Sequence, residues 1–466
     1  MLNKLHILTR TGFLMGLFLA CASAQNHYIV DSPTGNINDI CSRHGLQYVT
    51  ALSGSAKGLY VVNSPLGLNS IAQALQHEPT VKNVEADQPL ALPETAKSVA
   101  AAFSGPPSLS SVAPTVKQNG NQYANDDSGM NAWTAYLNQP AASIIKIKQA
   151  QNSATGAGIV AILDTGIDLA DQVLSRSVIW GYDFVNKIPG GQAWPVDVNQ
   201  STTSILDQST TSILDQSTTS ILDGYSTLVL DQSTTSILDQ STTSILDQST
   251  TSILDSHKPI NDYGHGTMVA GLVHLVAPTA KLMPVKVFDA KGGSSVSLII
   301  QGIHYAVDNG AHVINMSFST VEPSQELQDA INFANSHGVI LVAAAGNEGK
   351  LMTVYPAGYN PVIGVGATDN NDNRASFSNF GPEVDVAAPG VWVITTYPGN
   401  RYAAGSGTSF SAPFVAGAAA LFVQLDRDIN GPGALQAVDR AHPLNGQQLG
   451  AGLLDLVQAC GGLHKN

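Results

Sequence analysis

Charge is scarce in this chain of 466 residues. Asp, Glu, Lys and Arg together make up 12% of it, with 21 Lys and Arg against 35 Asp and Glu. The net charge of −14 excludes nucleic acid and anionic membranes as main partners, because both call for a clustered basic surface. Cysteine is nearly absent: Cys21, Cys41 and Cys460 are too few for a disulfide framework. Past the N-terminus, no uninterrupted apolar run is long enough to cross a bilayer. What remains is 43% hydrophobic and carries 43 glycines. That describes an ordered protein with many tight turns and enough length for two or three domains.

The N-terminus reads as an export signal over residues 1–24. Lys4 and Arg10 supply a positive start, residues 12–20 (GFLMGLFLA) an apolar stretch, and Ala22-Ser23-Ala24 a cleavage site before Gln25. The apolar stretch is too short for a membrane anchor, and Phe18-Leu19 before Ala20 suits a lipidated Cys21 poorly. The expected location is extracellular or periplasmic. Cys460 is expected to act as a small apolar residue near a C-terminal helix.

Residues 27–93 alternate short apolar runs (YIV, LQYVTAL, GLYVV, VKNVEA) with helix-like stretches, the pattern of a small α+β unit with an antiparallel sheet. Residues 94–138 are rich in Ala, Ser, Pro, Gly and Asn and read as a linker. From 139 to 466 the reading is α/β. Near-continuous apolar strands are expected at 158–163, 281–288, 311–316, 338–345 and 361–366, and helices at 295–309, 323–337 and 408–424. Such a chain builds a mainly parallel sheet with helices on both faces and binds ligands at the strand C-termini.

An octapeptide interrupts this part. QSTTSILD occurs six times unchanged between 200 and 255, around one altered copy, GYSTLVLD, at 224–231. The seven octads make 56 residues and carry seven aspartates, half of the net charge. Eight residues advance a helix by about 800°, so the Ile-Leu pairs form no stripe, and Ser, Thr and Asp are weak helix formers. An even period keeps each residue on one face of a strand, so short strands are one reading and an unstructured loop the other.

Three motifs carry chemistry: Asp164-Thr165-Gly166 after a strand, Gly264-His265-Gly266-Thr267 opening an apolar helix, and Gly407-Thr408-Ser409-Phe410-Ser411-Ala412-Pro413 opening another. A serine hydroxyl becomes a nucleophile when a base takes its proton, and that base needs a carboxylate to orient it. Singly, each motif also reads as a turn or an N-cap. Together they stand in the order Asp, His, Ser, which is that of subtilisin. An aspartic protease would need a second Asp-Thr-Gly loop or a dimer, and Ser411 takes the place of the last glycine of an esterase elbow.

LDTGID, GHGTMVAG, VINMSFS, AAAGNEG and GTSFSAPFVAGAAAL resemble, in order, the signature blocks of the subtilisin family of serine proteases. The resemblance spans residues 140–425 outside the octads, and RASFSNFGPEVDVAAPG is similar to the family's late sheet region. It implies a three-layer subtilisin-like fold and a secreted endopeptidase working through an acyl-enzyme. It also implies catalytic Asp164, His265 and Ser409, with Asn347 as the side-chain oxyanion donor. Ser317, Phe318, Ser319, Ala344, Ala345 and Gly346 match the two segments that flank an extended substrate. Residues 25–93 resemble the family's inhibitory pro-domain. The implied partners are polypeptide substrates and that pro-domain, with no nucleic acid, no membrane and a monomeric state.

No cofactor is required for the chemistry. A structural calcium ion finds no clear ligand pattern, even in the acidic stretch 369–373. Met268 stands where the family commonly has a second histidine, and Ser319 where a glycine is usual. No room is left after the His265 helix for a loop that often binds calcium. Glu348 reads either as a pocket-rim carboxylate favouring a basic residue or as a solvated loop residue. The alternative function is a catalytically silent, repeat-bearing adhesive or binding protein on the same scaffold. Without the octads, the 101 positions between Asp164 and His265 fall to 45, so the repeats read as one loop insertion.

Overall fold

The computed structural model describes residues 26–92, 123–125, 131–192, 227–230, 264–290 and 292–463. The signal segment, most of the linker and all six unchanged octads lie outside the described residues. The N-terminal unit contains β1 (Asn26–Asp31), α1 (Ile37–His44), β2 (Gln47–Ala51), β3 (Leu59–Ser64), α2 (Leu68–Leu75) and β4 (Asn83–Ala86). Its strands lie in the order β2-β3-β1-β4, every neighbour antiparallel. Strand alternation gives this sheet two apolar faces. Tyr28, Val30 and Val62 pack under α1 and α2 with Ile37, Ile40, Ile71 and Leu75. Ile29 and Val61 face the other way and join a core shared with the rest of the chain.

The large unit is an eight-stranded sheet. In chain order it uses β6 (Ile159–Asp164), β7 (Tyr182–Asp183), β8 (Ile188–Pro189), β10 (Lys281–Lys286), β12 (Val313–Met316), β13 (Ile340–Ala344), β14 (Ile363–Thr368) and β15 (Val386–Pro389). They lie side by side as β8-β7-β10-β6-β12-β13-β14-β15, parallel except for the β7–β8 pair. The five expected strands are present to within two residues at each end.

Alternate residues of one strand serve opposite cores. Val160 and Ile162 face α3 (His265–Val276) and α6 (Thr408–Leu425). Ala161 and Leu163 face α4 (Val296–Asp308) and α5 (Gln325–Ser336). The result is three layers, helices on sheet on helices. The earliest strand of this sheet in chain order, β6, sits between β10 and β12, so connections run outward from it in both directions. Its C-terminus is the switch point at which such sheets open a crevice.

Helix α6 is long and apolar enough to cross a membrane by composition, although Thr408, Ser409, Ser411 and Gly417 interrupt its apolar run. It is the core of the fold instead, with 94% of it buried. Its close approach to α3 depends on Gly417, where a Cβ would stand 2.6 Å from that of Val276. A hairpin, β16 (Val393–Tyr397) and β17 (Arg401–Gly405), leads into α6. The altered octad supplies its third strand. Thr227–Leu230, β9, pairs antiparallel with β17, from Thr227 opposite Gly405 to Leu230 opposite Tyr402.

The two units meet along α4 and α5. Strand β5 (Pro89–Ala91) pairs antiparallel with β11 (Gly293–Ser295), directly before α4. Asp87 accepts hydrogen bonds from Ser297 N and Oγ in the first turn of α4, at 2.9 and 2.8 Å. Glu85 accepts from Ser324 Oγ at 2.5 Å and Gln325 N at 3.0 Å, at the start of α5. Both carboxylates meet unpaired N–H groups and the positive end of a helix dipole.

Candidate active site

Asp164 is the last residue of β6, fully buried at the switch point. Thr165 N donates to its Oδ1 at 2.7 Å. His265 is the first residue of α3, and its Nδ1 lies 2.8 and 2.9 Å from the two carboxylate oxygens of Asp164. That contact places the ring proton on Nδ1, leaving Nε2 as the basic nitrogen. Gly266 makes the approach of α3 to β6 sterically open, since a Cβ there would meet Gly166 O at 2.2 Å. Phe410, just inside α6, packs beside the imidazole with ring centroids 5.5 Å apart.

Ser409 is the second residue of α6 and is buried at the helix N-terminus, where the dipole favours developing negative charge. Gly407 ahead of it has φ 154 and ψ 159, a conformation essentially reserved for glycine. The Ser409 hydroxyl donates to Ser317 O at 3.0 Å, and the Ser317 hydroxyl donates to Ser409 O at 2.9 Å. Asn347 follows β13 and is also buried. Its Oδ1 accepts from Thr408 N and Thr408 Oγ1, both at 2.9 Å, which turns the amide NH2 away from Thr408. Thr408 Oγ1 in turn accepts from Gly346 N at 3.1 Å. The structure therefore gathers Asp164 with His265 and joins Ser409 and Asn347 through Thr408, all at the C-terminal side of the sheet.

The sequence profile of the Subtilase family matches residues 156–438, more than half of the chain. The chain belongs to the subtilase family. Subtilisin Savinase of Lederbergia lenta is 51% identical over 170 residues, 34% of this subtilase and 63% of that protein. Thermitase of Thermoactinomyces vulgaris is 44% identical over 179 residues, 36% of this chain and 64% of its own. Each match takes in a little under two thirds of the relative's length. The fold is also similar to that of fervidolysin from Fervidobacterium pennivorans, a keratinolytic enzyme related to subtilisin. That likeness has a TM-score of 0.64 at 22% identity and covers 94% of this chain and 61% of that one.

The expected substrate-flanking residues of this subtilase line the ends of β12 and β13. Ser317, Phe318, Ala344 and Ala345 are buried, and the Phe318 ring packs on Phe288 at 5.2 Å, so it offers a ligand backbone only. Glu348 is half-buried and accepts from Asn379 Nδ2 at 2.6 Å, so it is not a freely solvated loop carboxylate. Met268 is buried on α3.

The 369–373 stretch closes on itself. Asp369 accepts from Asn371 N, Asn373 N and Asn373 Nδ2, which ties its carboxylate to its own turn. Among the described residues no group of three or more His, Cys, Asp or Glu is arranged to hold a metal ion. Cys460 is buried, and burial pushes its thiol up to about 12. Sequence reasoning assigned Thr408 no role, although it lies inside a signature block. It credited Ser317 only as part of a substrate strand. Asn379 lies within the stretch similar to the family's late sheet region and was likewise assigned no role.

Proposed function

We propose that this subtilase is a secreted serine endopeptidase that cleaves peptide bonds through an acyl-enzyme. The observation that carries the reading is the buried Asp164–His265 pair, its imidazole packed on Phe410, the residue that follows a buried serine at a helix N-terminus. In the resting arrangement the Ser409 hydroxyl is bonded to Ser317 O. A change of rotamer presents it to His265 Nε2, which takes the proton as Oγ attacks the substrate carbonyl. Asp164 holds the ring and stabilises the imidazolium. The Asn347 NH2 and the N-terminus of α6 meet the negative charge on the tetrahedral intermediate. His265 then returns the proton to the leaving amine, and water repeats the sequence on the ester.

Segments 317–319 and 344–346 would hold an extended polypeptide through backbone hydrogen bonds, a largely sequence-tolerant mode. In this reading residues 25–93 are an inhibitory pro-domain, docked on α4 and α5 and removed by a cut within 94–138 after residues 1–24 are lost. No cofactor takes part in these steps. Nothing at the site favours the silent-scaffold alternative, since all four positions keep the required chemistry.

The test is Ser409→Ala, compared with the parent chain on casein and by mass spectrometry with and without a serine-directed inhibitor. The parent is expected to process itself and to take up one inhibitor at Ser409. The variant is expected to remain a precursor and to keep only a residual rate. Cleavage by the variant at near the parental rate would overturn the assignment.

A further inference from the structure

We propose that the Ser317 hydroxyl is a positioning group for Ser409, replacing a helical hydrogen bond that Pro413 removes. The proposal rests on the reading of Ser409 as the nucleophile.

In helix α6 the carbonyl of Ser409 would accept from the backbone N–H four residues on, at position 413. That residue is proline, inside the helix, with no N–H and a ring that crowds this same carbonyl. Ser409 is fully buried, so solvent has no access to it, and a buried carbonyl without a donor is costly. Ser317 supplies the donor from the end of strand β12, 92 residues away, at 2.9 Å. Its hydroxyl carries one proton and accepts from Asn315 Nδ2 at 2.9 Å, so Asn315 holds the oxygen in place while the proton points at Ser409 O. Asn315, Ser317 and Ser409 are all completely buried.

The reverse bond, from Ser409 Oγ to Ser317 O, ends when the hydroxyl turns to His265. From that moment the Ser317 hydroxyl is what remains of this two-way link between the sheet and the first turn of α6. It fixes the backbone from which Oγ projects while the reaction proceeds. Its effect is therefore greatest on the chemical step and small on substrate binding.

A double-mutant cycle tests this, using Ser317→Ala, Pro413→Ala and the pair in the full chain, with kcat and KM on a short chromogenic peptide and stability from urea unfolding. Ser317→Ala is expected to lower kcat roughly ten- to hundredfold with KM little changed. In the Pro413→Ala background the helix regains its own donor at 413, and the same substitution is expected to cost much less in both kcat and stability. Asn315→Ala keeps the Ser317 hydroxyl but leaves it undirected. It should show a smaller loss in the same direction, again relieved by Pro413→Ala, and it serves if Ser317→Ala does not fold.

Equal losses in both backgrounds, or an effect confined to KM, would overturn the proposal. So would coupling in stability with kcat untouched, which would leave a structural bond with no positioning role. A well-folded parent without peptidase activity would instead overturn the protease reading, and the positioning role with it, while the stability cycle still reported the bond.

Discussion

At the scale of single residues, the orientation of one amide decides a testable quantity. Asn347 can present its NH2 to a developing oxyanion only if its Oδ1 is held elsewhere, and Thr408 holds it with two donors. Under the proposed assignment Asn347→Ala removes an interaction made in the transition state and hardly at all in the ground state. Turnover is expected to fall roughly a hundred- to a thousandfold, a range known from subtilisin itself, with KM nearly unchanged. Steady-state kinetics on a chromogenic peptide check it, and a change in KM alone would make Asn347 a substrate-binding residue. The four proposed catalytic positions were legible because each sits in a turn or helix start whose neighbours are chemically constrained, such as the glycines flanking His265. The hydroxyls of Thr408 and Ser317 were not, because their bonds join residues 61 and 92 positions apart and leave no local pattern.

At the scale of elements, buried parallel strands announced themselves as apolar runs, and α3 to α6 followed from where those runs stop. The short strands β7, β8, β16 and β17 went unread, since two to five residues carry little periodicity. The octads gave two readings, and the altered copy resolves as strand β9 on the edge of β17. Deleting residues 200–255 removes a whole number of repeats and restores the 45-position spacing between Asp164 and His265. The octads contain no His, Cys, Lys or Arg, and long surface loops cost only about 0.6 kcal/mol per doubling of length. The shortened chain is expected to fold with a stability loss of about 1–2 kcal/mol from the uncovered edge, and to hydrolyse a short peptide at a similar rate. Comparing a short peptide with a folded protein substrate is the measurement. A rate change on the protein alone would show that β9 limits access, and loss of both in a folded variant would give the repeats a direct part.

At the scale of the whole molecule, the seam between the N-terminal unit and the rest is where charge, burial and packing act together. A sheet of four strands with apolar residues on both faces needs cover on both, and α1 and α2 cover one. The other, with Ile29 and Val61, is closed by α4 and α5. Docking also brings acids together. Glu326, in the first turn of α5, is 4% exposed, accepts from Asn83 Nδ2 at 2.8 Å and faces Asp31, Glu85 and Asp329. Burial and those neighbours push it up to about 7, and burial also raises Asp31, Glu85 and Asp87. A carboxyl whose value is raised by docking contributes to the hold fully below its ordinary value, near 4.5, and that contribution is lost as pH rises to about 7. His304 works the other way. It lies against Phe333, bonds Ser55 and faces Asp308 and His337, and burial pushes it down to about 4, so its contribution is lost as pH falls below about 6.5. The two linkages oppose each other across the same window, so His304 offsets part of the weakening that Glu326, together with Asp31, Glu85 and Asp87, brings as pH rises from 4.5 to 7. Glu326→Gln keeps an acceptor for Asn83 and removes only the acid. The variant seam is expected to match the parent near pH 4.5 and to hold at least roughly tenfold tighter at pH 7, because a tenfold change in proton affinity on docking changes the docking equilibrium by the same factor. Hydrogen exchange at Ser297 and Gln325, corrected for the intrinsic rate and measured in a Ser409→Ala chain that cannot cut itself, reads the seam at both values. Equal protection of parent and variant at pH 7 would mean that Glu326 does not sense the docked unit.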